Sequence, residues 1–228
     1  APDYAAGTLA RLGAALQTFV DDNSLGAVAL RCWTELQDEL HIAPCSLLGC
    51  LNMMGVPAAC ETDVSNVYPM AALYAASQGS VACCDLNNNY GSDPNKLILF
   101  HCGPVAQSLM TAKGTVTEHK MFAKNDPGSG WGCNEGRIAS FPMTFANCKT
   151  EDGKITVYAS EGRFTEDVIE DGYFGCAGVA EIPDLQNKLI RLARGGFKHH
   201  TSVGKGHMKA ILEEAFTTYL GYDVIQID

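Results

Sequence analysis

The chain has 228 residues, of which 46% are hydrophobic, so it can build a substantial core in one large domain or two small ones. Its formal net charge of -10 argues against nucleic acid or an anionic membrane as a partner. Apolar runs stay well short of a bilayer span, and the N-terminus lacks the basic and apolar regions of a signal peptide.

The ten cysteines favour a reducing environment. Most of them lie inside apolar runs, where a cysteine behaves as a small buried hydrophobe. The sequence contains no Cys-x-x-Cys pair, which argues against a thiolate zinc site. We therefore expect reduced cysteines and a cytoplasmic protein.

The first half of the chain alternates helical and strand-like patterns. Apolar residues at helical spacing predict helices over 4–22, from Pro44 to Gly55 and over 64–78. Short apolar runs predict strands over 27–32, 56–60, 81–85 and 97–101. This alternation is typical of right-handed crossovers, so we predict an α/β domain over 1–115 with a mainly parallel sheet.

After about residue 115 the pattern changes to short, glycine-rich, strand-like runs. Glu151-Asp152-Gly153, between two such runs, predicts a hairpin. We expect an antiparallel, barrel-like β unit over 116–182 inside a second domain that spans 116–228. The elements predicted after this unit are a helix over 183–195, a C-terminal helix over 208–219 and a strand over 224–227.

Three consecutive apolar runs end in residue types that ligate metals, namely Glu61, Asp85 and His101. In α/β sheets the carboxyl ends of strands are where sites are built. The pattern therefore predicts a divalent-metal site whose carboxylates can also move protons. Each residue has a plainer interpretation, because acids favour helix N-termini and turns, and a lone histidine is often structural.

His199 and His200 offer a further imidazole. Neighbours on a strand face opposite sides, so we expect at most one of them at a given site. The other histidines, His41, His119 and His207, lie in polar or helical contexts, and we expect them to be solvated. The sequence also lacks a complete phosphate loop and a Gly-x-Ser-x-Gly elbow.

Five short motifs, in this order, resemble the L-fucose/L-arabinose isomerase superfamily. They are Cys32-Trp33 with Ile42-Ala43-Pro44-Cys45, Pro57-Ala58-Ala59-Cys60-Glu61-Thr62-Asp63-Val64, Asp85-Leu86-Asn87, Leu99-Phe100-His101-Cys102-Gly103 and Phe197-Lys198-His199-His200-Thr201. The similarity extends over nearly the whole chain, but it corresponds to the C-terminal half of such an enzyme.

The resemblance implies a ketol isomerase that uses a divalent cation, typically Mn²⁺. Glu61 matches the glutamate that ligates the metal and transfers protons, and Asp85 matches the second acidic ligand. Either His199 or His200 matches the C-terminal histidine ligand. His101 resembles a histidine ligand of the arabinose-type members that the fucose-type members lack, so the subfamily stays open.

These residue types suit aldose–ketose interconversion through an ene-diol. One carboxylate takes the carbon-bound proton, the other handles the hydroxyl proton, and a cation stabilises the developing charge. The resemblance also implies a sugar substrate, a homo-oligomer and an N-terminal region or partner chain that this sequence lacks. Two alternatives remain, a non-catalytic sugar-binding domain and a structural half of a two-chain enzyme. Arg31 and Trp33 are weaker candidates for substrate contact.

Overall fold

A computed structural model describes residues 1–170 and 172–228 of the chain. The α-helices within these ranges are α1 (Asp3–Asp22), α2 (Glu35–Leu40), α3 (Cys45–Met53), α4 (Val64–Ser77), α5 (Lys120–Ala123), α6 (Leu185–Arg194) and α7 (Lys209–Glu214). The strands are β1 (Val28–Ala29), β2 (Ala58–Ala59), β3 (Val81–Asn89), β4 (Lys96–His101), β5 (Thr115–Glu118), β6 (Trp131–Arg137), β7 (Phe141–Glu151), β8 (Lys154–Phe164), β9 (Cys176–Glu181), β10 (His200–Lys205) and β11 (Asp223–Val224).

The central feature is a barrel whose strands run in the order β8-β7-β10-β3-β4-β9 and close through a short β8–β9 pairing. All neighbours around this ring are antiparallel. Large side chains such as Leu99, Phe145 and Tyr158 fill the interior and are almost completely buried. Three further strands extend the sheet, because β6 and β5 follow β9 while β11 pairs with β8.

The predicted mainly parallel layer is wrong. The separate parallel sheet consists of the two short strands β1 and β2, while β3 and β4 are antiparallel neighbours in the barrel. Only residues 90–95 join β3 to β4, which is too short for the crossover that a parallel pair needs. Both faces of β3 are nevertheless buried, since Cys84 faces the barrel interior and Cys83 packs with residues of α4. This two-sided burial gives β3 the apolar run of a parallel strand.

Several local predictions are confirmed. Helices α1, α3, α4 and α6 lie where the periodicity places them, and α4 continues through Pro69. The hairpin at residues 151–153 joins β7 to β8, with both Asp152 and Gly153 at positive φ, as a tight two-residue turn requires. The C-terminal helix continues beyond α7 as a π-helical turn at Ala215–Tyr219.

Helices cover the outside of the barrel. Met70 and Leu73 of α4 pack with Leu212 and Phe216 from the C-terminal helical segment. None of the helices in the described part of the chain is both long and apolar enough to cross a membrane. Barrel strands come from both sides of residue 115, and the division into two domains there stays a prediction.

Candidate metal centre

Three neighbouring barrel strands position most of the predicted ligands. His200, the first residue of β10, pairs with Asp85 of β3, and Asp85 pairs on its other side with Phe100 of β4. Cross-strand partners share one face of the sheet, so the side chains of Asp85 and His200 are neighbours. His101 is the last residue of β4. Asp85 does not end its strand as predicted, since β3 continues to Asn89, but the strand becomes more exposed from Asp85 onward.

The predicted ligand atoms lie close together. Asp85 Oδ1 is 3.3 Å from His200 Nε2, 3.6 Å from His199 Nε2 and 3.8 Å from His101 Nε2. Glu61 Oε2 is 3.8 Å from His200 Nε2. Ligand atoms of Glu61, His101 and His200 all lie within 4.8 Å of one another, as do those of Asp85, His199 and His200. The structure thus brings the five predicted residues together in two overlapping groups.

Three of these atoms are buried and have no hydrogen-bond partner among the described residues. They are Asp85 Oδ1, His101 Nε2 and His200 Nε2. An unpaired buried polar atom costs about 1–3 kcal/mol, so three that face one another require an explanation. A cation would satisfy all three, and a donor set of carboxylate oxygen and imidazole nitrogen suits Mn²⁺ or a similar ion. The residues present therefore fit the divalent ion that the sequence predicts.

Glu61 reaches this centre from a strained turn between β2 and α4. Glu61 and Thr62 have φ values of 58° and 56°, a region that non-glycine residues seldom occupy and β-branched residues avoid. Two backbone hydrogen bonds hold the turn, from the Thr62 N–H to the Leu30 carbonyl (3.1 Å) and from the Asp63 N–H to the Cys60 carbonyl (3.0 Å). Backbone strain of this kind clusters at functional sites.

Asp63 is the residue whose part in the centre the sequence did not reveal. It caps α4, since its Oδ1 accepts a hydrogen bond from the Asn66 N–H at 3.1 Å. Its other oxygen, Oδ2, lies 2.8 Å from His200 Nδ1. A carboxylate on the far nitrogen of a ligating histidine fixes the tautomer and the orientation of the ring. The one signal in the sequence was the closeness of this acid to Glu61.

The electrostatics of the centre differ from one group to the next. Burial raises the pKa of Asp85 to about 7, while the charge of His200 lowers it and that of Glu61 raises it. Burial also lowers the pKa of His101 well below its usual range, which favours the neutral imidazole. Burial acts to raise the pKa of Asp63, but hydrogen bonds from His200 and Lys198 outweigh it and hold that pKa below its usual range.

Two histidines depart from expectation. His199 precedes β10 rather than lying in it, so both it and His200 reach Asp85, although the side chain of His199 is 64% exposed. His119 was expected to be solvated, and that is wrong, because it is buried against the rings of Trp33, Phe122 and Phe174. Burial lowers the pKa of His119 to about 4. His41 and His207 were also expected to be solvated, and both are exposed.

A cleft of about 280 Å³ opens beside the centre, lined by Arg31, Cys32, Trp33, Glu61 and Thr62. Glu61 therefore faces both the cleft and the ligand cluster.

A larger cavity of about 570 Å³ lies elsewhere, and its lining contains none of the predicted ligands. Its charged groups are already paired, Arg163 with Glu181 at 2.6 Å and His207 with Glu161 at 3.0 Å. We place the functional site at the smaller cleft, because Glu61 lines it and also belongs to the ligand cluster.

The family comparison agrees with the isomerase superfamily that the sequence motifs resemble. Residues 99–228 match the family described as L-fucose isomerase, C-terminal domain, and the chain belongs to this family. The matched region includes His101, His199 and His200, whereas Glu61 and Asp85 lie before it. The roles of the five residues as ligands stay predictions.

The curated relatives described here share the name sulfoquinovose isomerase. The sulfoquinovose isomerase of Alkalicoccus urumqiensis is 27% identical over 149 residues, which cover 65% of this chain and 30% of that protein. The protein of the same name from Clostridium sp. (strain MSTE9) is 28% identical over 156 residues, covering 67% of this chain and 34% of that protein. A third, from Priestia megaterium, is 24% identical over 143 residues. The chain thus spans about a third of the length of the curated relatives it matches.

Proposed function

We propose that this chain supplies the metal-binding, proton-transferring part of an aldose–ketose isomerase. The observation that carries the proposal is the set of three buried ligand atoms that face one another without a hydrogen-bond partner in the described ranges. Family membership and the name of the relatives support the class of reaction. Glu61, Asp85, His101 and His200 would hold Mn²⁺ or a similar divalent ion.

The side chains divide the proton transfers between them. Glu61 is 39% exposed and lines the cleft, so it can reach a carbon-bound proton of a sugar lying there. Asp85 is only 17% exposed and lies deeper, where it can exchange the hydroxyl proton. A bound divalent ion supplies Lewis-acid stabilisation of negative charge on the sugar oxygens. Lys198 and Asp63 take no part in the transfers, and they keep His200 oriented.

The cleft suits a sugar but does not enclose one. Trp33 offers an aromatic surface, Arg31 a guanidinium group and Thr62 a hydroxyl group, all of which can contact the polar groups and C–H faces of a carbohydrate. Only a few side chains line the cleft, so enclosing a substrate requires further protein surface. We propose that a second copy of the chain, or an N-terminal region of the kind the resemblance implies, supplies it.

The test is isomerase activity of a Glu61→Gln variant. The assay uses the chain extended to the length of its curated relatives, with Mn²⁺ added, and follows the conversion of L-fucose, L-arabinose and sulfoquinovose by proton NMR. Glutamine keeps the shape of the side chain but accepts no proton at neutral pH, so turnover should fall by at least about 10²-fold. Glu214→Gln, an exposed change on α7, serves as the matched control and should leave turnover unchanged.

The outcomes separate the proposal from its alternative. Turnover by Glu61→Gln close to that of the control would overturn the assignment of Glu61. Thermal stabilisation of the unmutated protein by one of these sugars, with no ketose formed, would favour a non-catalytic sugar-binding domain.

A further inference from the structure

A group of buried thiols lies directly behind the candidate metal centre. We refer to Cys32, Cys45, Cys60 and Cys102 as the thiol cluster; their exposed fractions are 1%, 2%, 0% and 5%. Cys60 immediately precedes Glu61 in the chain, and Cys102 immediately follows His101. All ten cysteines of the chain lie within the described ranges and are free, so the cluster consists of reduced thiols.

Three sulfur atoms of this cluster are close enough to share one ion, and the fourth lies next to one of them. Those of Cys45, Cys60 and Cys102 all lie within 4.8 Å of one another, and Cys32 Sγ is 3.1 Å from Cys60 Sγ. Zinc binds thiolate sulfur at about 2.3 Å in a tetrahedral arrangement, which places sulfur ligands about 3.8 Å apart. Small side-chain movements would therefore convert the observed spacing into that of a thiolate site.

Three buried thiols elsewhere in the chain are satisfied in another way. Cys133, Cys148 and Cys176 each donate to a backbone carbonyl, at 2.7 Å, 2.8 Å and 3.4 Å. Within the thiol cluster the sulfur atoms instead contact one another, His101 Nδ1 and a backbone N–H. His101 Nδ1 lies 3.1 Å from Cys102 Sγ, and the Glu61 N–H donates to Cys32 Sγ at 3.4 Å. The cluster thus differs from these buried cysteines in having its sulfur atoms close to one another.

The surroundings favour a cation held by thiolates. Cys45 is the first residue of the nine-residue helix α3, whose N-terminus carries a partial positive charge that stabilises an anionic ligand. The thiols also pack with apolar residues, which include Leu48, Leu51 and Ala58. Thiolates are not tolerated in such a core unless a metal ion neutralises them.

We propose that the thiol cluster is a second metal site, which takes a soft, thiophilic ion such as Zn²⁺. Cys45, Cys60 and Cys102 supply three thiolate ligands and Cys32 supplies the fourth, and the four thiol protons leave to solvent as the ion binds. The sequence argued against a thiolate zinc site because it contains no Cys-x-x-Cys pair. The fold assembles the ligands from four separate segments instead, and two of these segments also carry Glu61 and His101.

The site is structural in character. Its ligands are buried, and they join the segments after β1 and β2, the start of α3 and the residue that follows β4. A zinc ion there would fix the positions from which Glu61 and His101 reach the neighbouring centre.

The test is zinc K-edge X-ray absorption on the purified protein after zinc has been added and excess zinc dialysed away. The proposal expects one retained equivalent of Zn²⁺ with a sulfur shell at about 2.3 Å. Asp85→Asn should leave this shell unchanged, which distinguishes the thiol site from the carboxylate–histidine centre. A protein that retains no zinc, or zinc with only nitrogen and oxygen neighbours, overturns the proposal.

Cobalt substitution gives a second, independent readout. Co²⁺ bound by thiolates shows sulfur-to-metal charge-transfer absorption that carboxylate and imidazole ligands do not produce. The absorption should be lost in Cys60→Ala and kept in two controls, Cys50→Ser at an exposed position and Cys148→Ala at a buried one. Equal absorption in Cys60→Ala and in the controls contradicts the assignment.

Discussion

Asp63 Oδ2 lies 2.8 Å from His200 Nδ1, and this contact joins the N-terminus of α4 to the first residue of β10. Both side chains are 4% exposed, so little water competes for the hydrogen bond. With the Nδ1 proton donated to Asp63, Nε2 is the nitrogen that faces Asp85 and Glu61. One carboxylate therefore caps a helix and also sets which nitrogen of His200 is free to bind an ion.

Asp63→Asn tests this double role. Asparagine is as good a helix N-cap as aspartate, so α4 should stay folded. The amide offers one acceptor in place of two oxygens, and His200 loses its charged partner. Loss of such a supporting carboxylate typically weakens metal binding by about 10–100-fold. Calorimetric titration with Mn²⁺ should show this loss, with Asp38→Asn, at an exposed position of α2, as the unchanged control. Equal affinities in the two variants would show that Asp63 serves only the helix.

The adjacent histidines provide a second prediction. The Nε2 of His200 is buried and unpaired in the described chain, whereas the side chain of His199 is 64% exposed. His200→Ala should therefore weaken Mn²⁺ binding by more than about 10²-fold, a larger loss than a supporting residue causes. His199→Ala should cost clearly less. Titration of the two variants side by side decides the matter, and a larger loss in His199→Ala would reverse the assignment.

The grouping of the candidate residues could be predicted from the sequence better than the architecture. Glu61, Asp85 and His101 were singled out because each follows a run of apolar residues, and the structure brings them close together. Their roles as ligands stay predictions. The barrel was missed in the first half of the chain because β3 is buried on both faces, and apolar content alone does not show strand direction. The part played by Asp63 depends on a contact across 137 positions of sequence, which neither periodicity nor spacing contains.

Asn52 of α3 makes buried hydrogen bonds to β2, the strand that precedes Glu61. It is 1% exposed, and its side-chain amide donates to the carbonyls of Ala58 and Pro104 while its Oδ1 accepts from the Ala58 N–H. Asn52→Ala should lower the free energy of unfolding by about 2–4 kcal/mol, because buried backbone groups lose their partners. Urea denaturation measures this loss. Asn88→Ala, an exposed change on β3, should stay within about 0.5 kcal/mol of the unmutated protein. A loss in Asn52→Ala as small as that of the control would mean that the backbone groups find other partners.

In the turn that carries Glu61, by contrast, a substitution should stabilise the protein. Thr62 has a φ of 56°, a conformation that costs an L-residue about 1–2 kcal/mol and glycine very little. Part of this gain is offset by the greater freedom of glycine in the unfolded chain, about 0.4–1 kcal/mol. Thr62→Gly should therefore stabilise the protein by about 0.5–1 kcal/mol in urea denaturation.

Gly153→Ala is the reverse kind of substitution, at another position with a positive φ. It has a φ of 75° in the β7–β8 hairpin, with no atom near the position of an added Cβ. Gly153→Ala should therefore destabilise the protein by about 1 kcal/mol through backbone strain alone. If Thr62→Gly destabilises the protein as much as Gly153→Ala does, the left-handed conformation at Thr62 is not strained.

The most direct test of the metal centre is pulsed electron paramagnetic resonance of Mn²⁺ added to the protein, which detects nitrogen nuclei bound to the ion. We predict one tightly bound equivalent of Mn²⁺ whose spin-echo modulation shows coupling to imidazole nitrogen. This coupling should be weaker in each of the single variants His101→Ala and His200→Ala. It should be unchanged in His207→Ala, a change at an exposed position. Mn²⁺ that binds without nitrogen coupling, or with coupling that all three variants preserve, would contradict the carboxylate–histidine centre.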